Sequence, residues 1–467
     1  MNLTVRPVEM AAPALMPVAA GTAEEARAFL ARHSDVSHVD AVFVDLCGRV
    51  RGKRYPIRDL DKLYDSGLQI PLTVYLLDVT GAMSDPMGRG FEDGDPDGHA
   101  YPIAGTLVPA VWASPPRAQV LMTLTEAGCP AMVEPRNILR HVLSRFAPLG
   151  LKPVVAFELE FYLIERKRGA DRSPFAAADV AGETPVVGNV YEIRELDRFS
   201  SVLEAIEAAA LAQGVPTSAA TSEYSPGQFE INLQYTDDCI TAADHSALLR
   251  HIVVSVARAH GLDATFLPKP WVDRAGSGLH VHCSLVDAAS MNVFDDGSAQ
   301  GSARLNHAIG GLQATMGDAM AIFASNLNAY RRYVPNLFVP VNRHWGVNNR
   351  STGLRVPAGD NAARRIEHRV SGADSNPYLV LAAMLAGIHH GLMNQLDPGP
   401  AFAGNASGEV DPTLPLNIDD ALRVFQSSAL MREYLTGTYV DLYAEAKKGE
   451  LKTFRQVISS QEYDWYL

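Results

Sequence analysis

Apolar and polar residues alternate strictly over residues 157–163 of the chain, which read FELEFYL. A period of two is typical of a β-strand, whose successive side chains point to opposite faces of the sheet. The alternation predicts a strand with four apolar residues on one face and with Glu158 and Glu160 side by side on the other. Two carboxylates in such a strand are costly unless a positive charge compensates them, and hard divalent cations prefer carboxylate oxygen.

Three further segments repeat this division into an apolar and a polar face. The polar positions are Glu230, Asn232 and Gln234 in residues 228–235, His280, His282 and Ser284 in residues 278–286, and Arg365, Glu367 and Arg369 in residues 364–370. One such strand also suits a half-exposed amphipathic sheet, but four polar faces with glutamate, histidine and arginine and without lysine fit that explanation poorly. The pattern predicts a curved sheet with its apolar face packed on helices and its polar face lining a cavity.

Helical patterns and turns organise the rest of the chain. Thr22 suits the N-cap of a helix that ends near His33, and residues 39–46 and 69–78 predict strands. We expect a Gly-, Asp- and Pro-rich loop over residues 81–102 and helices over residues 197–213, 241–260, 302–326 and 375–395. Pro135 suits a helix start. We therefore expect a poorly ordered extension over residues 1–21, an N-terminal domain over 22–133 and a larger domain over 134–467.

Composition and charge limit the classes of function. The 467 residues are long for one domain and suggest two. A formal net charge of −13 argues against general binding to nucleic acid or to a membrane surface, and no apolar run approaches the ~20 residues that a membrane span needs. The four cysteines are scattered and form no CxxC pair, which argues against a zinc site and favours a reducing, cytoplasmic compartment.

A cluster of arginines changes the chemistry expected of the polar face. Arg332, Arg350 and Arg355 precede the strand that carries Arg365 and Arg369. Guanidinium groups bind phosphate and carboxylate through paired hydrogen bonds, whereas carboxylates with imidazole suit Mg²⁺ or Mn²⁺. The combination suits ATP-dependent chemistry on a carboxylic acid. The sequence has no Walker A motif, so we do not expect a P-loop.

The same segments resemble the glutamine synthetase family from about residue 35 to the C-terminus. The matching motifs are FELEFYL (157–163), SPGQFEINL (225–233), AGSGLHVHCSL (275–285), NAYRRYVP (328–335), WGVNNRSTGLRVP (345–357) and RRIEHRVSGADSNPYL (364–379). Within the family, three segments favour the γ-glutamylputrescine (polyamine) synthetase branch. They are VDLCGRVRGKR at 44–54, SPGQFEINL at 225–233 and VSGADSNPYLV at 370–380.

The resemblance implies an α+β fold with a small N-terminal β-grasp domain and a large catalytic domain, whose curved antiparallel sheet is flanked by helices. It also implies a homo-oligomer, usually a dodecamer of two stacked rings of six subunits, with each active site between neighbouring subunits. The implied cofactors are two or three Mg²⁺ or Mn²⁺ ions per site, with ATP as co-substrate.

By motif position, the resemblance also gives individual residues a role. One metal would be held by Glu160, Glu223 and Glu230, and a second by Glu158, His280 and Glu367. Substrate glutamate would be bound by Arg332, Arg369 and the backbone of Gly276, and ATP by His282, Ser284, Arg355 and Arg365. Arg350 would stabilise the transferring phosphoryl group.

Three departures from the family pattern lie around the ammonium and glutamate end of the site. Glutamine synthetases carry a flap glutamate that helps to deprotonate bound ammonium, whereas this chain has Phe338. Ala275 replaces the usual asparagine before the GSG turn, and residues 78–81 (DVTG) replace the usual DGSS. A phenylalanine ring cannot take a proton but can pack against an alkyl or aromatic amine, and Trp345 adds to this aromatic neighbourhood.

The sequence therefore predicts an ATP-dependent ligase that joins the γ-carboxylate of L-glutamate to a primary amine through γ-glutamyl phosphate. Putrescine, another polyamine, and other alkyl or aryl amines all fit. Asp78 and Glu230 are both candidates for the base that takes the proton of the amine. One alternative is a true glutamine synthetase that uses ammonia, against which Phe338 and Ala275 argue. The other is a non-catalytic structural or regulatory homologue, in which a metal ligand would be expected to be lost, and none is missing.

Overall fold

The computed structural model describes residues 15, 18–298 and 300–467, which form two β-sheets surrounded by helices. The strands are β1 His38–Val44, β2 Val50–Pro56, β3 Leu68–Pro71, β4 Asp97–Pro102, β5 Val108–Ala110, β6 Arg117–Glu126, β7 Cys129–Pro130, β8 Lys152–Arg168, β9 Pro174–Ala176, β10 Thr217–Ser222, β11 Gln228–Leu233, β12 Leu262–Thr265, β13 Leu279–Val286, β14 Trp345–Val347, β15 Leu354–Val356 and β16 Ile366–His368. The α-helices are α1 Ala23–Arg32, α2 Leu60–Ser66, α3 Pro135–Leu143, α4 Ile193–Arg198, α5 Ser200–Ala212, α6 Cys239–Ala259, α7 Ala303–Phe323, α8 Pro377–Asn394, α9 Ile418–Ser427, α10 Ala429–Leu435, α11 Gly437–Phe454 and α12 Ser460–Tyr466.

The first sheet has the strand order β2-β1-β6-β4-β3. β1 runs parallel to β6, while β2, β3 and β4 pair antiparallel with their neighbours. Helices α1 and α2 contribute Phe29, Leu60 and Leu63 to the core that this sheet buries. A parallel central pair between antiparallel strands, packed against helices, is the β-grasp arrangement that the resemblance implies.

The second sheet has the order β10-β11-β8-β13-β16-β15-β14, and β9 and β12 also pair with β8. Its pairs are antiparallel except for β14 with β15. On β8, Phe157, Leu159, Phe161 and Leu163 are at most 1% exposed and lie in a core shared with α6, α7 and α8. The opposite face of β8 therefore carries its glutamates, as the alternation predicts.

Helices α7 and α8 pack closely because glycines meet where they cross. A Cβ on Gly311 would overlap the carbonyl oxygen of Gly387 and the backbone of Gly391. The two helices can therefore come this close only because residue 311 has no side chain. Nearly every residue of α8 is buried. Of the helices in residues 15, 18–298 and 300–467, none combines the length and hydropathy that a membrane crossing needs.

Most predicted elements are confirmed, with their ends shifted by a few residues. Thr22 caps α1, because its Oγ1 accepts a hydrogen bond from the N–H of Glu25 at 3.2 Å. The prediction of one strand over residues 69–78 is wrong after β3, where Leu72–Leu76 forms a 3-10 helix that buries its side chains around a turn. The prediction of a loop over residues 81–102 is wrong at β4, because the core-facing Gly98 and Ala100 are too small to produce a hydrophobic alternation.

The predicted N-terminal extension lies mostly outside the described residues, which omit residues 1–14, 16 and 17. Ala20 forms an isolated bridge to Ile103, and the N–H of Gly21 donates to the carbonyl oxygen of Pro102 at 2.8 Å. This short segment therefore runs along the end of the first sheet.

The predicted domain boundary near residue 133 falls between β7 and α3 and stays a prediction. Polar contacts join the two sides of that position. Nδ2 of Asn376, the N-cap of α8, donates to the carbonyl oxygen of Asp45 at 2.8 Å. Arg136 at the start of α3 is nine-tenths buried and pairs with Asp244 of α6 at 2.9 Å.

Candidate active site

Strand register brings the predicted polar residues together on the second sheet. Glu160 of β8 lies opposite Glu230 of β11, and Glu158 of β8 lies opposite His280 of β13. On the far side of β13, β16 adds Glu367. Side chains at opposed positions of paired strands share a face and lie about 5 Å apart at their Cβ atoms. These five side chains therefore form one cluster, the acidic cluster.

His280 stands between three glutamates of the acidic cluster. Its Nδ1 lies 3.2 Å from Oε2 of Glu158 and 4.0 Å from Oε2 of Glu230, and its Nε2 lies 3.8 Å from Oε1 of Glu160. His282 approaches from the same strand, with Nε2 2.9 Å from Oε1 of Glu158. Two imidazoles are thus interleaved with three carboxylates that are each largely buried.

Two overlapping sets of side chains could each hold a metal ion. Glu158, His280 and Glu367 form one set, and Glu160, Glu230 and His280 form the other, with the ligand atoms of each set within 4.8 Å of one another. The first set contains the three residues expected for one metal. The second contains two of the three expected for the other, with His280 where Glu223 was expected.

The carboxylates differ in how far their charge is compensated. Burial would raise the pKa of Glu158, but hydrogen bonds from the two histidines outweigh it and hold that pKa well below its usual value. Burial and the charge of Glu160 instead raise the pKa of Glu223 to about 8. Burial and the neighbouring glutamates also raise the pKa of Glu230 well above its usual value. The donor set therefore fits a hard divalent cation, which would supply the missing positive charge.

Buried arginines border the acidic cluster on the side of Glu367. Arg355 Nη1 donates to Glu367 Oε2 at 2.6 Å, and Arg369 donates to Oε1. Although burial opposes it, the charge of Arg369 lowers the pKa of Glu367 to about 2. Arg332 is 3% exposed and donates through Nη1 to the carbonyl oxygen of Val370 at 3.2 Å.

These guanidinium groups keep unused donors. The Nε atoms of Arg332, Arg355 and Arg369 are buried and have no hydrogen-bond partner among the described residues. An unpaired buried N–H costs free energy. Carboxylate or phosphate oxygens of a ligand would satisfy such donors with the geometry that guanidinium prefers.

Gly276 packs directly against Arg332. A Cβ on Gly276 would lie 2.8 Å from Cγ of Arg332 and 2.9 Å from the carbonyl oxygen of Pro268. The carbonyl oxygen of Gly276 accepts a hydrogen bond from Nε2 of Gln228 at 3.0 Å, which fixes the turn before β13. The structure thus places Gly276 against Arg332, and Arg332 bonds to the residue that follows Arg369.

The residues expected to bind ATP lie along β13 and the strands beyond it. Arg365 Nε donates to His282 Nδ1 at 3.1 Å, and Arg355 reaches the cluster through its ion pair with Glu367. Ser284 lies two residues beyond His282 on β13 and is half-buried. Arg350 is exposed in the turn before β15.

Asp78 and Trp345 are held by contacts away from the acidic cluster of their own chain. Oδ1 of Asp78 accepts hydrogen bonds at 2.7–3.0 Å from Oγ1 and N–H of Thr80 and from the N–H of Ala82, within its own loop. Trp345 is 8% exposed, lies in the core of the second sheet and donates through Nε1 to the carbonyl oxygen of Gly399 at 3.1 Å. Asp78 as a base in the site of a neighbouring subunit stays a prediction, and the described contacts do not bring Trp345 to Phe338.

Two side chains at the site were missed in the choice of candidate residues. Asn232 Nδ2 donates to Glu158 Oε1 at 3.0 Å. Asn232 lies two residues after Glu230 on the polar face of β11, and this position could have identified it as a site residue. Tyr224 stacks on Phe338 with ring centroids 6.0 Å apart and ring planes 26° from parallel. Tyr224 lies in a turn between β10 and β11, where no periodicity marks a functional residue.

Comparisons with known proteins found similarity along nearly the whole chain. The family model described as glutamine synthetase, catalytic domain, matches residues 132–466. The gamma-glutamylputrescine synthetase PuuA of Escherichia coli (strain K12) is 38% identical over 448 residues, which cover 95% of this chain and 94% of that protein. The glutamate–isopropylamine ligase of Pseudomonas sp is 31% identical over 453 residues, 94% of this chain and 97% of that protein. A solved structure of a GmaS/ADP complex has a TM-score of 0.80 and 28% identity, and covers 94% of this chain and 98% of that chain.

Proposed function

The chain belongs to the glutamine synthetase family, and we propose that it is an ATP-dependent ligase that joins the γ-carboxylate of L-glutamate to a primary amine. One observation carries the proposal: the acidic cluster, with two overlapping sets of metal ligands, borders buried arginines whose Nε donors lack partners among the described residues. Carboxylate-bound cations and free guanidinium donors are the groups that phosphoryl transfer to a carboxylic acid requires.

Divalent cations, Mg²⁺ or Mn²⁺, would be held by the glutamates and His280. Glu158, His280 and Glu367 would hold one, and Glu160 and Glu230, with Glu223 at the edge of the cluster, would hold another. Bound there, the cations would supply positive charge against the phosphate oxygens of ATP. This donor set fits them because oxygen ligands dominate it.

Substrate glutamate would bind between Gly276 and the two arginines beside it. The unpaired Nε donors of Arg332 and Arg369 would pair with a substrate carboxylate. Gly276 allows Arg332 to pack against this turn, because a side chain at Gly276 would meet the stem of Arg332. This arrangement would hold the γ-carboxylate of glutamate against the acidic cluster.

The nucleotide would lie toward β13 and β16. Arg355 and Arg365 would contact its phosphates, and His282 and Ser284 would border it. Arg350, exposed in the turn before β15, would reach the transferring phosphoryl group. Positioning and electrostatic stabilisation are the main contributions that a protein makes to such a transfer.

The reaction would proceed in two transfers. An oxygen of the γ-carboxylate attacks the terminal phosphorus of ATP, and ADP leaves, which gives γ-glutamyl phosphate. The neutral nitrogen of the amine then attacks the acyl carbon, and inorganic phosphate leaves as the amide forms. The ammonium form of the amine first gives a proton to a base, for which Glu230 and the Asp78 of a neighbouring subunit are the candidates.

An amine, rather than ammonia, is the acceptor that fits the residues on the flap. Phe338 stands where the family carries an ammonium-deprotonating glutamate, and it is 57% exposed and stacks on Tyr224, the residue after Glu223. Two relatives that cover most of the chain are named for putrescine and isopropylamine. We place the protein in the γ-glutamylpolyamine branch, and the dodecamer of two hexameric rings remains a prediction.

Phosphate release with ATP, Mg²⁺ and glutamate tests this function across a panel of ammonium, putrescine, ethanolamine, n-butylamine and an aromatic amine. We expect release with at least one amine to exceed release with ammonium. Glu160→Gln should reduce it more than ~10-fold, because it removes a metal ligand, while Glu165→Gln on the same strand should not. Higher release with ammonium than with every amine would favour a glutamine synthetase. Binding of Mg²⁺ and ATP without turnover would favour a non-catalytic homologue.

A further inference from the structure

Two aromatic rings are exposed at the turn that carries Glu223. Tyr224 is 56% exposed and Phe338 is 57% exposed, although their rings stack on each other with centroids 6.0 Å apart. Tyr224 directly follows Glu223 in the turn between β10 and β11. We call Tyr224 and Phe338 the aromatic pair.

The backbone holds Tyr224 in place. The N–H of Glu223 donates to the carbonyl oxygen of Gln228 at 2.9 Å and closes the turn that carries Tyr224. Oγ of Ser225, the next residue, accepts the N–H of Ala275 at 2.9 Å. Gly188 packs against the backbone of Tyr224 so closely that a Cβ there would overlap the Tyr224 carbonyl oxygen. The backbone of Tyr224 is therefore held on two sides, while its ring stays exposed to solvent.

Phe338 reaches the pair from a separate segment. This segment is anchored two residues earlier, where the N–H of Asn336 donates to the carbonyl oxygen of Ser407 at 2.9 Å. The two rings thus come from parts of the chain more than a hundred residues apart and meet beside Glu223. Exposed apolar rings gain stability when an apolar group covers them, so this edge of the site suits a ligand with an apolar part.

The position of the rings indicates which ligand covers them. The turn that carries Tyr224 is hydrogen-bonded through Ser225 to Ala275, and Ala275 directly precedes Gly276, beside which substrate glutamate would bind. The acceptor amine must reach the γ-carboxylate of that glutamate, and a primary amine also has a carbon chain for the aromatic pair. Ammonia has no such chain and would leave both rings uncovered.

We propose that Tyr224 and Phe338 bind the carbon chain of the acceptor amine and that they select primary amines with an apolar arm of several carbons over ammonia and methylamine. This inference rests on the proposed function, because it needs an amine to be the acceptor. Tyr224 and Phe338 are specificity-determining residues, and the ammonium end and the glutamate are bound elsewhere in the site.

The dependence of kcat/KM on chain length tests the inference. Phosphate release is measured with methylamine, ethylamine, n-propylamine and n-butylamine, all at saturating ATP and glutamate. In the wild type we expect kcat/KM to rise about threefold to fourfold for each added methylene, the factor that burial of one methylene group supplies. Tyr224→Ala and Phe338→Ala should flatten this rise to less than about twofold per methylene.

Conservative variants and a distant control separate recognition from a general loss of structure. Tyr224→Phe and Phe338→Tyr keep the rings and should keep the rise. Leu211→Ala removes an exposed apolar side chain from α5 and should also keep the rise. Unfolding curves of all variants should coincide, since both rings lie on the surface.

The outcomes distinguish this inference from the proposed function. Phosphate release with amines that does not depend on chain length, or a rise that survives both alanine variants, overturns the role of the aromatic pair and leaves the ligase intact. The absence of glutamate-dependent phosphate release with every amine overturns the proposed function itself.

Discussion

Replacement of Gly276 by alanine should displace Arg332 and weaken glutamate binding. The added Cβ would lie 2.8 Å from Cγ of Arg332, whereas an ordinary carbon–carbon contact is about 3.5–4.0 Å. The turn cannot move away freely, because the carbonyl oxygen of Pro268 would lie 2.9 Å from the same Cβ. The stem of Arg332 must therefore shift by about 0.7 Å or more. A misplacement of about 1 Å can cost ~100-fold in rate, which corresponds to ~2.7 kcal/mol.

We expect kcat/KM for glutamate to fall roughly 10- to 100-fold in Gly276→Ala, with KM for ATP within about twofold of wild type. Phosphate release at varied glutamate and at varied ATP measures the two parameters separately, and circular dichroism checks that the variant folds. Gly359→Ala is the matched control, because its Cβ would meet no described atom within 4 Å. A folded Gly276→Ala enzyme with unchanged kcat/KM for glutamate would refute the placement of glutamate beside Arg332.

Three further predictions concern stability and metal binding. Burial raises the pKa of Glu134 to about 7, so the folded protein holds a proton that the unfolded chain releases near its usual value. Stability should therefore fall by at most ~3 kcal/mol as the pH rises from about 4.5 to 7, and Glu134→Gln should flatten this fall in urea titrations at several pH values. Gly311→Ala should lower the free energy of unfolding by ~1–3 kcal/mol or more, because it separates α7 from α8. Gly317→Ala on the same helix has its nearest atom at 3.7 Å and should not destabilise the fold in the same urea titration. Glu158→Gln should weaken Mn²⁺ binding more than ~10-fold in calorimetry, and unchanged affinity would remove Glu158 from the ligand set.

Alternation with a period of two was sufficient to predict which side chains share the polar face. Glu158 and Glu160 are separated by one residue on β8. Side chains two positions apart in a strand point to the same face, and this does not depend on which strands pair with it. The position of His280 between three glutamates could not be predicted in the same way, because it depends on the register between β8 and β13. Register is set by the packing of the whole sheet, which no single segment encodes.

Residues outside the regular strands were less predictable. The placement of Trp345 in an aromatic amine pocket rested on its nearness in sequence to Phe338, whereas the structure packs its ring into the core. Tyr224 is more than a hundred residues from Phe338 in sequence and stacks on it in the structure. Turn residues have no hydrophobic period, so their contacts follow only from the tertiary fold.

The acidic cluster is electrostatically asymmetric, and this asymmetry relates the two halves of the proposed reaction. Glu158 and Glu367 have imidazole and guanidinium partners, and both carboxyl groups have lowered pKa values. Glu223 and Glu230 have raised pKa values, because they are buried among other carboxylates. Phosphate oxygens are therefore attracted to the arginine side, while a divalent cation would compensate the carboxylates on the side of Glu223. The aromatic pair stands on that second side, next to Glu223, so one face of the sheet can bind the nucleotide at one end and present an amine with an apolar arm at the other.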